Sequence, residues 1–202
     1  MLDTIADRPG DRLTLDEYSE DFDVRFGSLR DTDVWKLERQ QEFDQPEERS
    51  WVAFADGRRA ESLRMLEAER PLLRSEFDRL AGLGCRIRRV RVVEKPLPLY
   101  LLWELHSLRI RAQCGEDIRV VSAEPLTALE RERPVPEIVT LGDAVTYRIR
   151  YDSRGILDGA VRYTDADVTA QCRSEIAALH ENAEALEDFF VREVGGTEAG
   201  RA

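Results

Sequence analysis

The sequence predicts an α/β protein of mixed α+β character, with a small mixed sheet of about four or five strands, helices packed on it and a long C-terminal helix. Three observations carry this expectation. "ESLRMLEAERPLLRSEFDRLAGLG" (61–84) has helical periodicity, stops at Gly82 and Gly84, and is followed by the valine-rich strand segment "RIRRVRVV" (86–93). "AVTYRIRYDSRGILDGAVRYT" (144–164) alternates apolar and polar residues on both sides of the turn "DSRG", which marks an antiparallel hairpin. From 165 to 192, Val168, Cys172, Ile176, Leu179, Ala183, Leu186 and Phe190 recur at spacings of three and four, the pattern of one long amphipathic helix.

Along the chain, residues 1–12 read as a disordered lead-in within an N-terminal arm (1–25). Leu15, Tyr18, Phe22 and Phe26 give the stretch that follows an amphipathic helical face. "DVWKLERQ" (33–40) is a candidate first strand. A helix spans 45–57, with Pro46 near its start, Gly57 at its end and Trp51 and Phe54 on one face. In 61–84, Leu66, Leu73, Phe77 and Leu80 form the core stripe, and Pro71 must kink the helix or split it in two. A helix over 97–112 leads through Gly115 into a second strand, "DIRVVSA" (117–123), and "LTALERE" (126–132) predicts a short helix. One α/β domain covers 26–193, and 194–202 is expected to be a disordered tail.

Composition bounds the function. Apolar residues make up 42% of the 202 and charged residues 35%, an ordinary globular balance. The start of the chain has no apolar core of a signal peptide and no run approaches a membrane span, so a cytoplasmic protein is expected. Three widely spaced cysteines, Cys85, Cys114 and Cys172, argue against a disulfide framework. The net charge of −11 is uneven: residues 1–50 carry −8, residues 85–119 carry +4 and residues 165–202 carry −6. Overall acidity opposes broad nucleic-acid binding, leaving a strip of Arg86, Arg88, Arg89 and Arg91 as the weakest of three functional readings.

Familiar catalytic signatures are missing. There is no P-loop, G-x-G-x-x-G or G-x-S-x-G motif, and neither His106 nor His180 has ligand partners at zinc-site spacing, so no metal and no cofactor are expected. The pairs Asp21/Asp23 and Asp31/Asp33 suit a solvated acidic face, and Asp165/Asp167 suit a helix start. The cysteines read as structural.

The informative stretch is "CRIRRVRVVEKPLPLYLLWELH" (85–106). In a strand, Arg89 and Arg91 share one face with Ile87 and Val93, so only two of the four guanidiniums can converge, while Arg86 and Arg88 would meet solvent. On the next helix Tyr100, Trp103 and Glu104 share a face. A carboxylate on so apolar a helix needs a cation if it is buried. Arg89 or Arg91 is then either the partner in a structural ion pair or part of a pocket for a small anionic ligand.

The run "RIRRVRVVEKPLPLYLLWEL…CGEDIRVV", with "VWKLERQQEFDQPEE" before it and "AVTYRIRYDSRGILDGAVRYTDADVTAQCR" after it, resembles an uncharacterised domain family common in actinobacteria. Members are often encoded beside XRE-type helix-turn-helix regulators. The resemblance brings no established activity, but it adds Glu116 and Arg119 to the candidate ligand-binding set of Arg89, Arg91, Tyr100, Trp103 and Glu104. The order of elements also resembles half of a phospholipase-D-like domain. That superfamily's H-x-K motif is absent, because His106 is followed by Ser107 and Leu108. The expected function is therefore a non-catalytic accessory or regulatory protein that binds a helix-turn-helix regulator or a small anionic ligand, not a membrane and not nucleic acid directly. The alternative is an enzyme using Glu104 with Tyr100 and Arg91.

Overall fold

The computed structural model describes residues 1–131 and 133–195. Its elements are β1 (Asp11–Leu13), α1 (Leu15–Gly27), β2 (Asp33–Glu38), α2 (Arg49–Ala55), α3 (Arg59–Ala68), α4 (Arg70–Gly82), β3 (Arg86–Val93), α5 (Leu99–Cys114), β4 (Asp117–Ser122), β5 (Ile138–Leu141), β6 (Val145–Tyr151), β7 (Leu157–Tyr163), α6 (Ala166–Glu181), β8 (Glu184–Ala185) and α7 (Leu186–Glu193). The strands form one sheet in the order β1-β7-β6-β5-β2-β3-β4-β8. β2, β3 and β4 run parallel, joined by crossovers through α2–α4 and through α5, and the remaining pairs are antiparallel.

Local chemistry sets the boundaries. Thr14 and Glu17 close a capping box at the start of α1. Pro71 lies in the first turn of α4, where its missing N–H costs nothing, so the expected kink is a split between α3 and α4 at Glu69. Asp165 caps α6 by accepting from the Asp167 and Val168 amides. One sheet face packs under α2–α5 through Val34, Ile87, Leu141 and Tyr147. The opposite face packs on α6 through Leu37, Val90, Val92, Cys172 and Ile176.

The mixed α/β class holds, but the eight-stranded sheet is larger than the sequence predicts. The extra strands are too short to display a period: β1 has three residues, β8 has two, and all four of β5 are buried, so none of them alternates. The single C-terminal helix also breaks in two. α6 ends at Glu181, β8 pairs with β4, and α7 turns away. The apolar repeat continues through the break because its two halves serve different cores. Val168, Cys172 and Ile176 meet the sheet, whereas Leu186, Phe189 and Phe190 pack with Leu101 and Leu105 of α5.

The helix expected at 126–132 is only a 3-10 turn at Glu124–Leu126 followed by a hydrogen-bonded turn over 127–129, and Glu132 lies outside the described residues. The lead-in expected at 1–12 packs: Leu2 and Ile5 are fully buried, Tyr163 Oη donates to the Ile5 carbonyl (2.9 Å), and Met1 pairs with Glu175 (2.7 Å). Of the expected tail, residues 196–202 lie outside the described residues. Among the described residues, no helix is long and apolar enough to cross a membrane.

Gly159 allows β1 to lie against β7. Its φ is +113°, and a Cβ there would stand 2.3 Å from the Leu13 carbonyl oxygen. Gly159→Ala is therefore expected to cost about 2 kcal/mol or more in urea unfolding. An unchanged midpoint would show that β1 adapts.

Candidate functional site

The alternation of β3 sends Arg89 and Arg91 beneath α5, while Val90 and Val92 face α6. Arg91 is fully buried. Its Nε donates to Glu104 Oε2 (2.8 Å), and its two terminal nitrogens donate to the carbonyls of Val92 (2.9 Å), Glu38 (3.3 Å) and Gln40 (2.6 Å). Those carbonyls lie where β2 and β3 end or run out. One guanidinium thus ties α5 to two strand ends.

Arg89 bridges two carboxylates, Glu116 through Nε (2.7 Å) and Glu38 through Nη1 (2.5 Å). Arg111 binds the other oxygen of Glu116 (2.6 Å), and Lys36 lies 3.2 Å from Glu38. The result is a layer of interleaved cations and carboxylates inside the protein. Burial pushes Glu38 and Glu116 upward, but the cations around them hold both below the ordinary carboxyl range. Glu104, with Arg91 as its one bonded cation, stays raised by burial. Half-buried Lys36 is shifted down, by desolvation and by Arg89. Glu38 Oε2 is buried without a hydrogen-bond partner among the described residues.

A fourth carboxyl completes the layer. Glu137 Oε1 accepts from the Arg39 and Gln40 amides (3.1 and 3.0 Å), and Oε2 accepts from Tyr151 Oη (2.5 Å). Burial and nearby Glu38 outweigh these donors and push Glu137 up to about 7. Aromatic residues cover the cluster: Phe43 contacts both Tyr100 and Tyr151 (centroids 5.2 and 5.0 Å), and Trp51 contacts Tyr100 (5.1 Å) and Trp103 (5.7 Å). Gln45 donates to Tyr100 Oη (2.9 Å), and Trp103 Nε1 donates to Ser50 Oγ (3.2 Å).

Of the sequence-derived candidates, Arg89, Arg91, Tyr100, Trp103, Glu104 and Glu116 come together here. Arg119 does not. It lies on β4 between Ile118 and Val120, which face α5 and α7, so it points to the other side and sits 3.6 Å from Asp117. Arg88 meets carboxylates rather than solvent alone: it pairs with Asp33 (2.9 Å) and Asp117 (3.1 Å) and lies over Trp35. The four arginines therefore form no continuous strip. Lys36, Glu38, Arg111, Glu137 and Tyr151 were missed. Lys36 and Glu38 carried a faint signal, because they alternate with Val34 toward the same face; Glu137 had none.

Elsewhere several carboxylates and the thiols are absorbed by structure. Asp21 accepts from Arg25, Tyr147 and Arg162. His180 lies 3.3 Å from Asp117. All three cysteines are buried, and burial with Glu175 nearby pushes Cys172 up to about 12. No cluster of three or more potential metal ligands occurs among the described residues.

Four cavities of about 600, 580, 390 and 350 Å³ are described, and Tyr100, Trp103 and Glu104 line none of them. The largest lies beyond the carboxyl ends of β3 and β4, and each cation there already has a carboxylate: Arg39 with Glu94 and Glu130, Lys95 with Glu193, Arg192 with Glu184. The 580 Å³ cavity is a largely apolar groove between the 43–48 segment and the 151–157 turn, and Phe43, Gln45 and Tyr151 connect it to the cluster.

A model of the domain of unknown function DUF6879 matches residues 20–191. The chain belongs to that family. The DUF6879 match begins within α1 and ends within α7, so it takes in the whole charged layer and all of the groove's lining except Leu15. No curated protein matches the chain.

Proposed function

We propose that this DUF6879 chain is a non-catalytic accessory protein that binds a protein partner, with the buried charge layer as framework and the 43–48/151–157 groove as contact surface. One observation supports this best. The guanidiniums of Arg89 and Arg91 are occupied by the chain's own carboxylates and carbonyls, while a largely apolar groove stands open beside them. A pocket for an anion needs uncommitted donors, and an interface needs an apolar centre with a polar rim.

The resemblance to an actinobacterial family encoded beside helix-turn-helix regulators makes such a regulator the first partner to test. The resemblance to half of a phospholipase-D-like domain, without its H-x-K pair, fits the same reading. The enzymatic alternative ranks second: Glu104 has the raised carboxyl that an acid–base role wants, but it lines none of the four cavities.

Titrating the purified chain with the regulator should give a complex that Ile156→Asp and Leu157→Asp each weaken by about tenfold or more, with melting temperature maintained. Absence of a complex, or one that survives both substitutions, would overturn the proposal.

A further inference from the structure

The charge around the groove indicates what it takes. Its floor is apolar, built from Phe43, Ile156 and Leu157, and Leu15 and Leu157 are among the exposed large hydrophobic residues. Its charged lining is entirely acidic: Asp44, Glu47 and Glu48. Asp44 and Glu47 have no cation or side-chain hydrogen-bond partner among the described residues, and both are exposed.

Glu47 and Glu48 also line the adjoining 350 Å³ cavity, with Met65 and Glu69. There the Glu69 carboxyl is pushed up, first by partial burial and then by Glu48 beside it, with Arg111 acting in the opposite direction. Arg49 is the one base lining either cavity. Two cavities therefore meet at one turn, one apolar and one acidic.

We infer that the groove binds a segment of a partner protein carrying a bulky apolar residue next to a lysine or arginine. The apolar side chain fills the space over Phe43 and Ile156, and the cation lies among Glu47, Glu48 and Glu69. This deepens the partner-binding reading and rests on it. Acidic and nucleic-acid occupants are disfavoured by the same carboxylates.

The full-length chain would be titrated with a short capped peptide of alternating leucine and arginine, and with versions carrying glutamate for arginine or serine for leucine. The leucine–arginine peptide should bind, weaken as salt rises, and exceed each of the others by about tenfold. The pair Glu47→Gln/Glu69→Gln should weaken it by about fivefold without lowering the melting temperature. Failure of that peptide to bind, equal binding of the glutamate peptide, or indifference to the neutralised pair would overturn the inference. If Ile156→Asp still separates the chain from the regulator in those cases, the groove remains the contact surface and only the partner's chemistry is wrong.

Discussion

Arg91→Met is expected to destabilise the protein by about 3–5 kcal/mol, because it leaves a buried carboxylate without its cation. The substitution strands Glu104 Oε2 beneath α5 and strips hydrogen bonds from the Glu38, Gln40 and Val92 carbonyls. Methionine approximates the aliphatic part of arginine, so lost packing contributes little. The diagnostic result comes from the double variant. Arg91→Met/Glu104→Leu removes both charges, and the part of the loss due to the stranded carboxylate should return, while the three carbonyls stay without their donor. Arg86→Met, at the exposed start of the same strand, should leave the urea midpoint unchanged. If Arg91→Met unfolds at the wild-type midpoint, or the double variant is no better than the single, the layer is not a coupled unit.

That layer also marks how far the sequence could be read. Strand alternation selects Arg89 and Arg91, and helical spacing selects Tyr100, Trp103 and Glu104, because both are local rules with periods of two and about three and a half. The structure brings those five residues together. The remaining members come from places where no local rule reaches. Lys36 and Glu38 sit 51 or more positions away from Arg89 and meet it through the parallel register Lys36↔Arg89 and Glu38↔Arg91. Glu137 precedes the four-residue β5, and its partners Arg39 and Gln40 follow β2. Sheet order was unreadable for the same reason: β5 returns past β3 and β4 to pair antiparallel with β2, a choice made by tertiary packing. The break at 182–185 is different. An unbroken apolar repeat there served two cores, and period alone cannot tell one long helix from two short ones that change direction.

A pH-dependent loss of stability should follow from Glu137. Its carboxyl is raised to about 7 in the folded chain, against an ordinary value near 4.5. The folded state therefore holds this proton more tightly than the unfolded chain, and stability falls as pH rises between those two values. Below about 4.5 both states are protonated and there is no penalty; above about 7 both are ionised and the penalty is complete, at most about 3 kcal/mol. Glu104, also raised, adds in the same direction, whereas Glu38 and Glu116, held low, exert their opposite effect at more acidic pH. Glu137→Gln isolates the single group. Its amide oxygen can still accept from the Arg39 and Gln40 amides, and its NH2 can donate to Tyr151 Oη, so the geometry survives while the titration is removed. Urea unfolding of both proteins at pH 5 and pH 8 should give similar midpoints at pH 5 and a more stable variant at pH 8. Parallel curves across that range would mean that Glu137 is ionised throughout, its charge held by Tyr151 and the two amides.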